Sequence, residues 1–163
     1  MDKKEIFISA IKDNEGLVYK IAAVYTNDVQ DRKDLVQEII YQLWKSFDSF
    51  NQQSALSTWM YRVAMNVAIY HLKNTKRKVV TVPMEEHLLN FPEADNRAFE
   101  EKLQVFRQHL NQLNLLDKGI ILLYLEDKSY EEIAQIAGIS ETNVGTKISR
   151  IKEKLKKQIT KQG

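Results

Sequence analysis

The sequence predicts an all-α protein made of two small helical domains joined by a flexible linker, with a helix-turn-helix in the C-terminal domain. Its 163 residues include two prolines and five glycines, a composition that favours helix. Apolar residues recur at spacings of three and four on both sides of a central segment that holds both prolines. We therefore expect domains over residues 1–75 and 97–163, separated by a linker over 76–96.

The N-terminal domain is predicted to be built from amphipathic helices. Apolar residues run at helical spacing from Ile6 to Val24, and Asn14-Glu15-Gly16 can bend this segment into two helices. A helix with a wide apolar face is expected from Leu35 to Phe47. After a polar loop, a long helix runs from Trp59 to about Asn74.

The C-terminal domain begins with two further predicted helices. The first places four apolar side chains on one face, namely Leu103, Phe106, Leu110 and Leu113. The second is short and very apolar, from Asp117 to Leu125. Together they provide an apolar surface on which the last two helices can pack.

The stretch "SYEEIAQIAGISETNVGTKISRIKEKLKK" predicts two helices joined by a tight turn. Ser129 and Glu132 form a capping box that starts the first helix. Gly138 can adopt the positive φ that ends it, Ile139 can fill the gap between the helices, and Ser140 can cap the second. This is the arrangement of a helix-turn-helix.

The second helix of this pair separates apolar from polar side chains. The predicted buried stripe is Val144, Ile148, Ile151 and Leu155. The predicted polar stripe beside it is Asn143, Lys147, Arg150 and Lys154. Asn and Arg at such positions suit hydrogen bonds to base edges. Gly145 lowers helix propensity, which either a close approach to DNA or a packing contact would explain.

Charge is unevenly distributed along the chain. Residues 141–163 contain seven Lys or Arg and two Glu, and residues 73–78 contain four Lys or Arg and no acid. Residues 83–101 contain six acids and one Arg. Two basic patches favour a polyanionic partner contacted at two places, although a helical hairpin with a solvated basic face is the simpler alternative.

Several functional classes lack support in the sequence. His71, His87 and His109 are far apart and have no metal-ligand spacing, and no glycine-rich phosphate loop is present. We therefore expect no enzyme activity, no metal and no cofactor. The absence of cysteine and of a long apolar run predicts a cytoplasmic protein that does not insert into the membrane.

Two long stretches resemble one known family. "DLVQEIIYQLWKSFDSF" followed by "STWMYRVAMNVAIYHLKNTKRK" closely resembles the second conserved region of bacterial sigma factors of the extracytoplasmic-function (ECF) group. "LNLLDKGIILLYLEDKSYEEIAQIAGISETNVGTKISRIKEKLKK" resembles their fourth region. The resemblance implies an alternative sigma factor that binds core RNA polymerase and directs promoter recognition and transcription initiation.

The resemblance also implies roles for individual residues. Polymerase docking is expected at Asp34, Leu35, Gln37 and Glu38, with Tyr41 on the same helical face. Contacts to the minus-ten promoter element are expected at Phe50, Ser54, Thr58, Trp59, Tyr61, Arg62, Asn66, Lys73, Lys76 and Arg77. Contacts to the minus-thirty-five element are expected at Ser140, Asn143, Gly145, Thr146, Lys147, Ser149, Arg150 and Lys154.

Alternatives remain open from the sequence. Trp59 can be a core residue rather than a stacking platform for an extruded base. The chain can also be a helix-turn-helix regulator that acts without polymerase, or an interaction protein whose basic helix binds an acidic partner. The expected partners are core RNA polymerase, promoter DNA and an anti-sigma factor, with no small-molecule substrate. A flexible linker leaves the arrangement of the two domains undetermined.

Overall fold

A computed structural model describes residues 2–50, 54–74 and 93–162 as a set of helices, with no strand among these residues. Their bounds are α1 Lys3–Asp13, α2 Glu15–Tyr25, α3 Val29–Ser46, a single 3₁₀ turn Phe47–Ser49, α4 Leu56–Lys73, α5 Glu93–Leu110, α6 Leu115–Leu125, α7 Tyr130–Ala137 and α8 Glu141–Gln162. The predicted all-α class is confirmed. The expected bend near Asn14 is confirmed as well, because α1 ends and α2 begins there.

Local side-chain caps determine where several helices begin. The Asp28 carboxylate accepts a hydrogen bond from the Asp31 backbone N–H at 2.8 Å. Helix α3 starts at Val29, the residue after Asp28. Asn114 caps α6 in the same way by accepting from the Asp117 N–H at 2.8 Å. Each side chain satisfies one of the backbone donors that a helix start leaves unpaired.

The N-terminal lobe, residues 2–74, has a core formed by α1 to α4. The side chains that are completely buried or nearly so include Phe7, Val18, Ile21, Leu35, Ile39, Ile40, Leu43, Met60 and Ala64. Phe7 packs edge-on against Trp44 and Phe47, with ring centroids 5.2 and 5.3 Å apart. The wide apolar face predicted for Leu35–Phe47 is thus a packing face.

The C-terminal lobe, residues 93–162, packs directly on the N-terminal lobe. One continuous apolar core runs from Phe7 through Met65 to Leu123 and Ile148. Helix α2 lies against α5 and α6, and α4 lies against α7. The sequence left this arrangement undetermined, and the structure shows the two lobes closed on each other.

The buried face of α5 differs from the predicted one. Leu103 and Leu110 are buried as expected, but Phe106 is 45% exposed. Arg107 faces inward in its place, with its guanidinium on carbonyl groups at the end of α2. A charged residue therefore turns the inward face of α5 away from Phe106. The helix also begins at Glu93, inside the segment predicted as linker.

Candidate nucleic-acid and polymerase interfaces

The helix-turn-helix forms as its local signals predict. Ser129 accepts from the Glu132 N–H at 3.1 Å, and Ser140 accepts from the Asn143 N–H at 3.1 Å. Gly138 has a φ of 74°, the left-handed conformation that ends α7. These three residues set the crossing of α7 and α8 and thereby present one face of α8 to solvent.

That face of α8 carries the polar residues proposed to read DNA. Val144, Ile148 and Ile151 are buried against the lobe, at 2% exposure or less. The exposed residues from the predicted set are Ser140, Asn143, Thr146, Ser149, Arg150 and Lys154. The helix therefore has the predicted division into a packed stripe and a polar, solvent-facing stripe.

Two lysines of the polar stripe have partners within the C-terminal lobe. Lys147 Nζ lies 3.2 Å from the Asp117 carboxylate, and Lys154 Nζ donates to the Gln112 carbonyl at 3.0 Å. These contacts direct the two ammonium groups toward α6 and its preceding turn. Asn143 and Arg150 lie on the same stripe and are exposed.

Packing within the protein does not require a glycine at position 145. A Cβ at this position would lie 3.5 Å from the Tyr130 ring of α7, an ordinary contact distance. Alanine therefore fits there in this structure, and the packing requirement is weak. The other explanation given above, a close approach of the α8 backbone to DNA, stays a prediction.

An aromatic cluster precedes and opens α4. Trp59 is partly buried, and its ring lies 5.3 Å from Phe50 and 6.3 Å from Phe47. Thr58 is buried, whereas Ser54 is half-buried. Trp59 therefore lies at the border of the core, beside the Phe47 and Phe50 rings.

Farther along α4 the predicted minus-ten residues have different environments. Asn66 and Lys73 are exposed. Tyr61 is 5% exposed beneath the Lys128 ammonium, and burial raises its pKa to about 12. Arg62 donates two hydrogen bonds to a backbone carbonyl of α7. Lys76 and Arg77 lie outside the described residues.

The predicted docking residues lie along α3. Leu35 is completely buried, so its contribution is to hold α3 on the core. Asp34, Gln37 and Tyr41 are half-buried, and Asp34 accepts from the Gln30 amide at 3.0 Å. Glu38 lies 2.5 Å from the Nδ1 of His71, a buried residue in the last turn of α4.

Both lobes match known protein families. The sigma-70 region 2 family matches residues 10–78, and the sigma-70 region 4 family matches residues 103–155. The chain is 30% identical over 154 residues to the ECF RNA polymerase sigma-E factor of Haemophilus influenzae, covering 86% of this chain and 82% of that protein. The chain belongs to the ECF group of sigma-70 factors.

Further similarities extend over the whole length of this sigma factor. The RNA polymerase sigma factor SigV of Bacillus subtilis is 28% identical over 160 residues, covering 98% of this chain and 94% of SigV. The structure of CnrH bound to the cytosolic domain of CnrY has a TM-score of 0.72 and 18% identity, covering 99% of this chain and 92% of that one. The sigma factor RpoE of Bartonella quintana, solved with the anti-sigma factor NepR, has a TM-score of 0.64 and 20% identity, with 96% of each chain covered.

The described residues contain neither a metal-binding group of side chains nor a helix that could span a membrane. No group of three or more His, Cys, Asp or Glu side chains in the described ranges is arranged to hold a metal ion. Within the same ranges, no helix has the length and apolarity needed to cross a membrane. Sigma factors as a family are transcription factors and not enzymes.

Several structurally important residues of this sigma factor were not predicted. His71 follows Ala64 and Ala68 on the buried face of α4, and this spacing was the available signal. Arg107 interrupts the apolar face of α5 in the same manner. Gly119 lies within α6 despite its low helix propensity, a cost that indicates a close contact.

Proposed function

We propose that this sigma factor binds core RNA polymerase and directs it to promoters through three surfaces. The outer face of α3 docks on the polymerase. The aromatic cluster before α4 and the polar face of α4 contact the minus-ten element. The exposed face of α8 contacts the minus-thirty-five element. One observation supports this assignment most directly. The region 2 match covers the polar surfaces of α3 and α4, and the region 4 match covers the exposed polar face of α8.

The α8 surface suits duplex DNA. Asn143 and Arg150 are exposed near the start and middle of a helix whose opposite side is packed on the lobe. Such a helix fits the major groove, where amide and guanidinium groups make bidentate contacts to bases. Lys156 and Lys157 are exposed one to two turns later, where they are placed for phosphates.

The minus-ten surface suits strand opening. Extruding a base costs a few kcal/mol, and stacking on an aromatic side chain returns about 1–3 kcal/mol per base. The Phe50 and Trp59 rings, 5.3 Å apart, supply such a platform at the edge of the core. Asn66 is exposed farther along α4 and can hydrogen-bond a base edge.

The α3 surface suits a polar partner. Asp34 and Glu38 are one turn apart, and each carboxylate is held by a neighbouring side chain. Fixed carboxylates bind a basic surface with less loss of side-chain entropy than free ones. The proposed partner of this surface is core RNA polymerase. Because the polymerase works in the cytoplasm, the proposal places this sigma factor there too. An anti-sigma factor is a further expected partner, because the RpoE structure described above was solved in complex with the anti-sigma factor NepR.

The decisive experiment is run-off transcription with bacterial core RNA polymerase on a genomic fragment library. Defined start sites that require both core and this protein are expected. Specific duplex binding by the protein alone, with no binding to core, would contradict the proposal and favour a regulator that acts without polymerase.

The docking surface has a matched control. Asp34→Arg is expected to weaken core binding by at least tenfold, because it reverses one charge on the outer face of α3. Asp13→Arg makes the same charge change at an exposed position at the end of α1 and is expected to bind core normally. Equal affinities for the two variants, measured by fluorescence anisotropy, would remove α3 from the docking surface.

A further inference from the structure

The outer side of α4 carries an exposed tyrosine beyond the proposed minus-ten contacts. Tyr70 is 64% exposed, more than any other aromatic side chain in the described part of the chain. Among the described residues, its hydroxyl has no hydrogen-bond partner and its ring has no aromatic or cationic neighbour. The packing of the protein therefore does not require an aromatic residue at position 70.

Helical spacing places Tyr70 in line with other proposed DNA contacts. Four residues of α4 follow one another at intervals of seven, four and three, namely Trp59, Asn66, Tyr70 and Lys73. These intervals keep the four side chains on one side of the helix, and the opposite side is buried in the core. The last three of them are exposed. Tyr70 thus continues the proposed minus-ten surface toward the end of α4.

Helix α4 presents no negative charge that would repel DNA. The 18 residues of Leu56–Lys73 include Arg62, His71 and Lys73 but no Asp or Glu. The basic run in the sequence continues to Lys78, with four Lys or Arg and no acid over residues 73–78. Lys and Arg side chains are the usual partners of phosphate groups. The charge along this side of α4 is therefore complementary to DNA beyond Asn66 as well.

The place of Tyr70 along α4 indicates which part of a promoter it reaches. With a rise of about 1.5 Å per residue, Tyr70 lies about 6 Å beyond Asn66 along the helix axis. Base pairs are stacked about 3.4 Å apart, so the step corresponds to about two base pairs. The chain leads from this end of α4 to the lobe proposed to bind the minus-thirty-five element, which lies upstream. The DNA beside Tyr70 is therefore the duplex just upstream of the minus-ten element.

We propose that Tyr70 is a specificity-determining residue that contacts a thymine in the duplex just upstream of the minus-ten element. The ring lies against the thymine methyl group in the major groove, where apolar contacts distinguish thymine from the other bases. Lys73, less than one turn later, binds a neighbouring phosphate. This inference rests on the proposed role of α4 in minus-ten binding and extends the promoter sequence that α4 recognises.

The test uses core RNA polymerase with the full-length protein on a promoter found by run-off transcription. The base pairs just upstream of the minus-ten element are randomised, and the transcripts from each template are counted by sequencing. The parent should prefer thymine at one of these positions by about fivefold or more, the usual effect of one mismatched base pair. Tyr70→Ala should lose this preference, whereas Tyr70→Phe should keep it because the ring remains.

A matched substitution and a change in the DNA serve as controls. Phe106→Ala removes another exposed aromatic ring, on α5 and outside the three proposed surfaces, and should keep the thymine preference. Deoxyuridine in place of the preferred thymine removes only the methyl group. The parent and Tyr70→Phe should then initiate about fourfold less often, the effect of exposing one methyl-sized group, and Tyr70→Ala should not respond.

The parent would overturn the inference by showing no base preference upstream of the minus-ten element or no response to deoxyuridine. A thymine preference that survives in Tyr70→Ala would do so as well. An equal loss on all templates would make Tyr70 a contact to the DNA backbone and would also exclude its role in specificity. Absence of any core-dependent start site for the parent would instead contradict the proposed function, and the inference would fail with it.

Discussion

The carboxylate of Glu38 and the imidazole of His71 join the docking helix α3 to the last turn of α4. Nδ1 of His71 lies 2.5 Å from Oε2 of Glu38, and the His71 side chain is 4% exposed. The other ring nitrogen, Nε2, is buried without a hydrogen-bond partner. Among the contacts described, the His71 ring makes a polar contact only with Glu38. It thereby positions Glu38, a proposed docking residue.

Substitutions of the two residues of this pair should not be additive in their effect on stability. His71→Leu leaves the part-buried Glu38 carboxylate unpaired, and we expect a loss of about 1–3 kcal/mol in the free energy of unfolding. In His71→Leu/Glu38→Leu the loss should be smaller than the sum of the single losses. Urea unfolding of the four proteins measures this coupling, and strictly additive effects would show that the two residues act independently.

Gly145 provides a second test at the level of one residue. Gly145→Ala should raise the free energy of unfolding by up to about 1 kcal/mol, because alanine favours helix and its Cβ meets the Tyr130 ring at an ordinary 3.5 Å. If the α8 backbone approaches DNA at this position, the same variant should bind minus-thirty-five DNA more weakly. A stabilised variant with unchanged DNA affinity would leave no DNA role for this glycine.

At the scale of an element, the helix-turn-helix shows how local sequence signals set a surface. Gly138→Ala should cost about 1 kcal/mol or more, because its φ of 74° is strained for residues with a Cβ. Gly16→Ala should cost nothing comparable, since its surroundings are open and its φ is ordinary. Thermal unfolding of both variants gives the comparison, and equal midpoints would argue against a required left-handed turn.

The exposed stripe of α8 allows base and phosphate contacts to be separated. Arg150→Ala should lose about 1–3 kcal/mol on its own promoter and much less on other sequences, because a base contact carries sequence information. Lys156→Ala should weaken all duplexes alike and lower the salt dependence of binding by about one ion. Anisotropy titrations at several salt concentrations distinguish the two patterns.

At the scale of the whole molecule, closure of the lobes buries tyrosines. Tyr61 has a pKa of about 12 against an ordinary 10, chiefly because burial disfavours the phenolate, with Glu126 and Glu132 nearby adding to the effect. The folded protein thus holds this proton more tightly than the unfolded chain. The resulting stability is fully present below pH 10 and is lost as the pH rises toward 12.

The loss should reach about 2 kcal/mol by pH 12, since each pKa unit corresponds to about 1.4 kcal/mol and the folded-state hydroxyl is only half ionised at that pH. Tyr61→Phe should remove this part of the pH dependence. Tyr70→Phe, at a position that is 64% exposed on the same helix, should leave the profile unchanged. Urea unfolding between pH 9 and pH 12 provides the measurement, and parallel profiles for the parent and Tyr61→Phe would contradict the role of Tyr61.

The sequence by itself determined the helices, the helix-turn-helix and the family. Capping side chains such as Ser129 and Ser140, the turn glycine Gly138 and the apolar periodicity act between residues a few positions apart, so these signals can be read directly from the chain. Both matched regions are likewise continuous stretches of sequence. The polar division of α8 followed from the same short-range spacing.

Only the tertiary structure decided how the two lobes meet. The pairing of Arg62 with Gln135, of Glu100 with Arg32 and of Gly119 with Met65 joins residues that are between 54 and 73 positions apart. No local periodicity encodes such contacts, because they depend on the fit of whole helix surfaces. For the same reason the prediction that Phe106 lies on the packed face of α5 was wrong. Arg107, which donates to the distant Ala23 carbonyl, sets the inward face of α5 together with the apolar spacing.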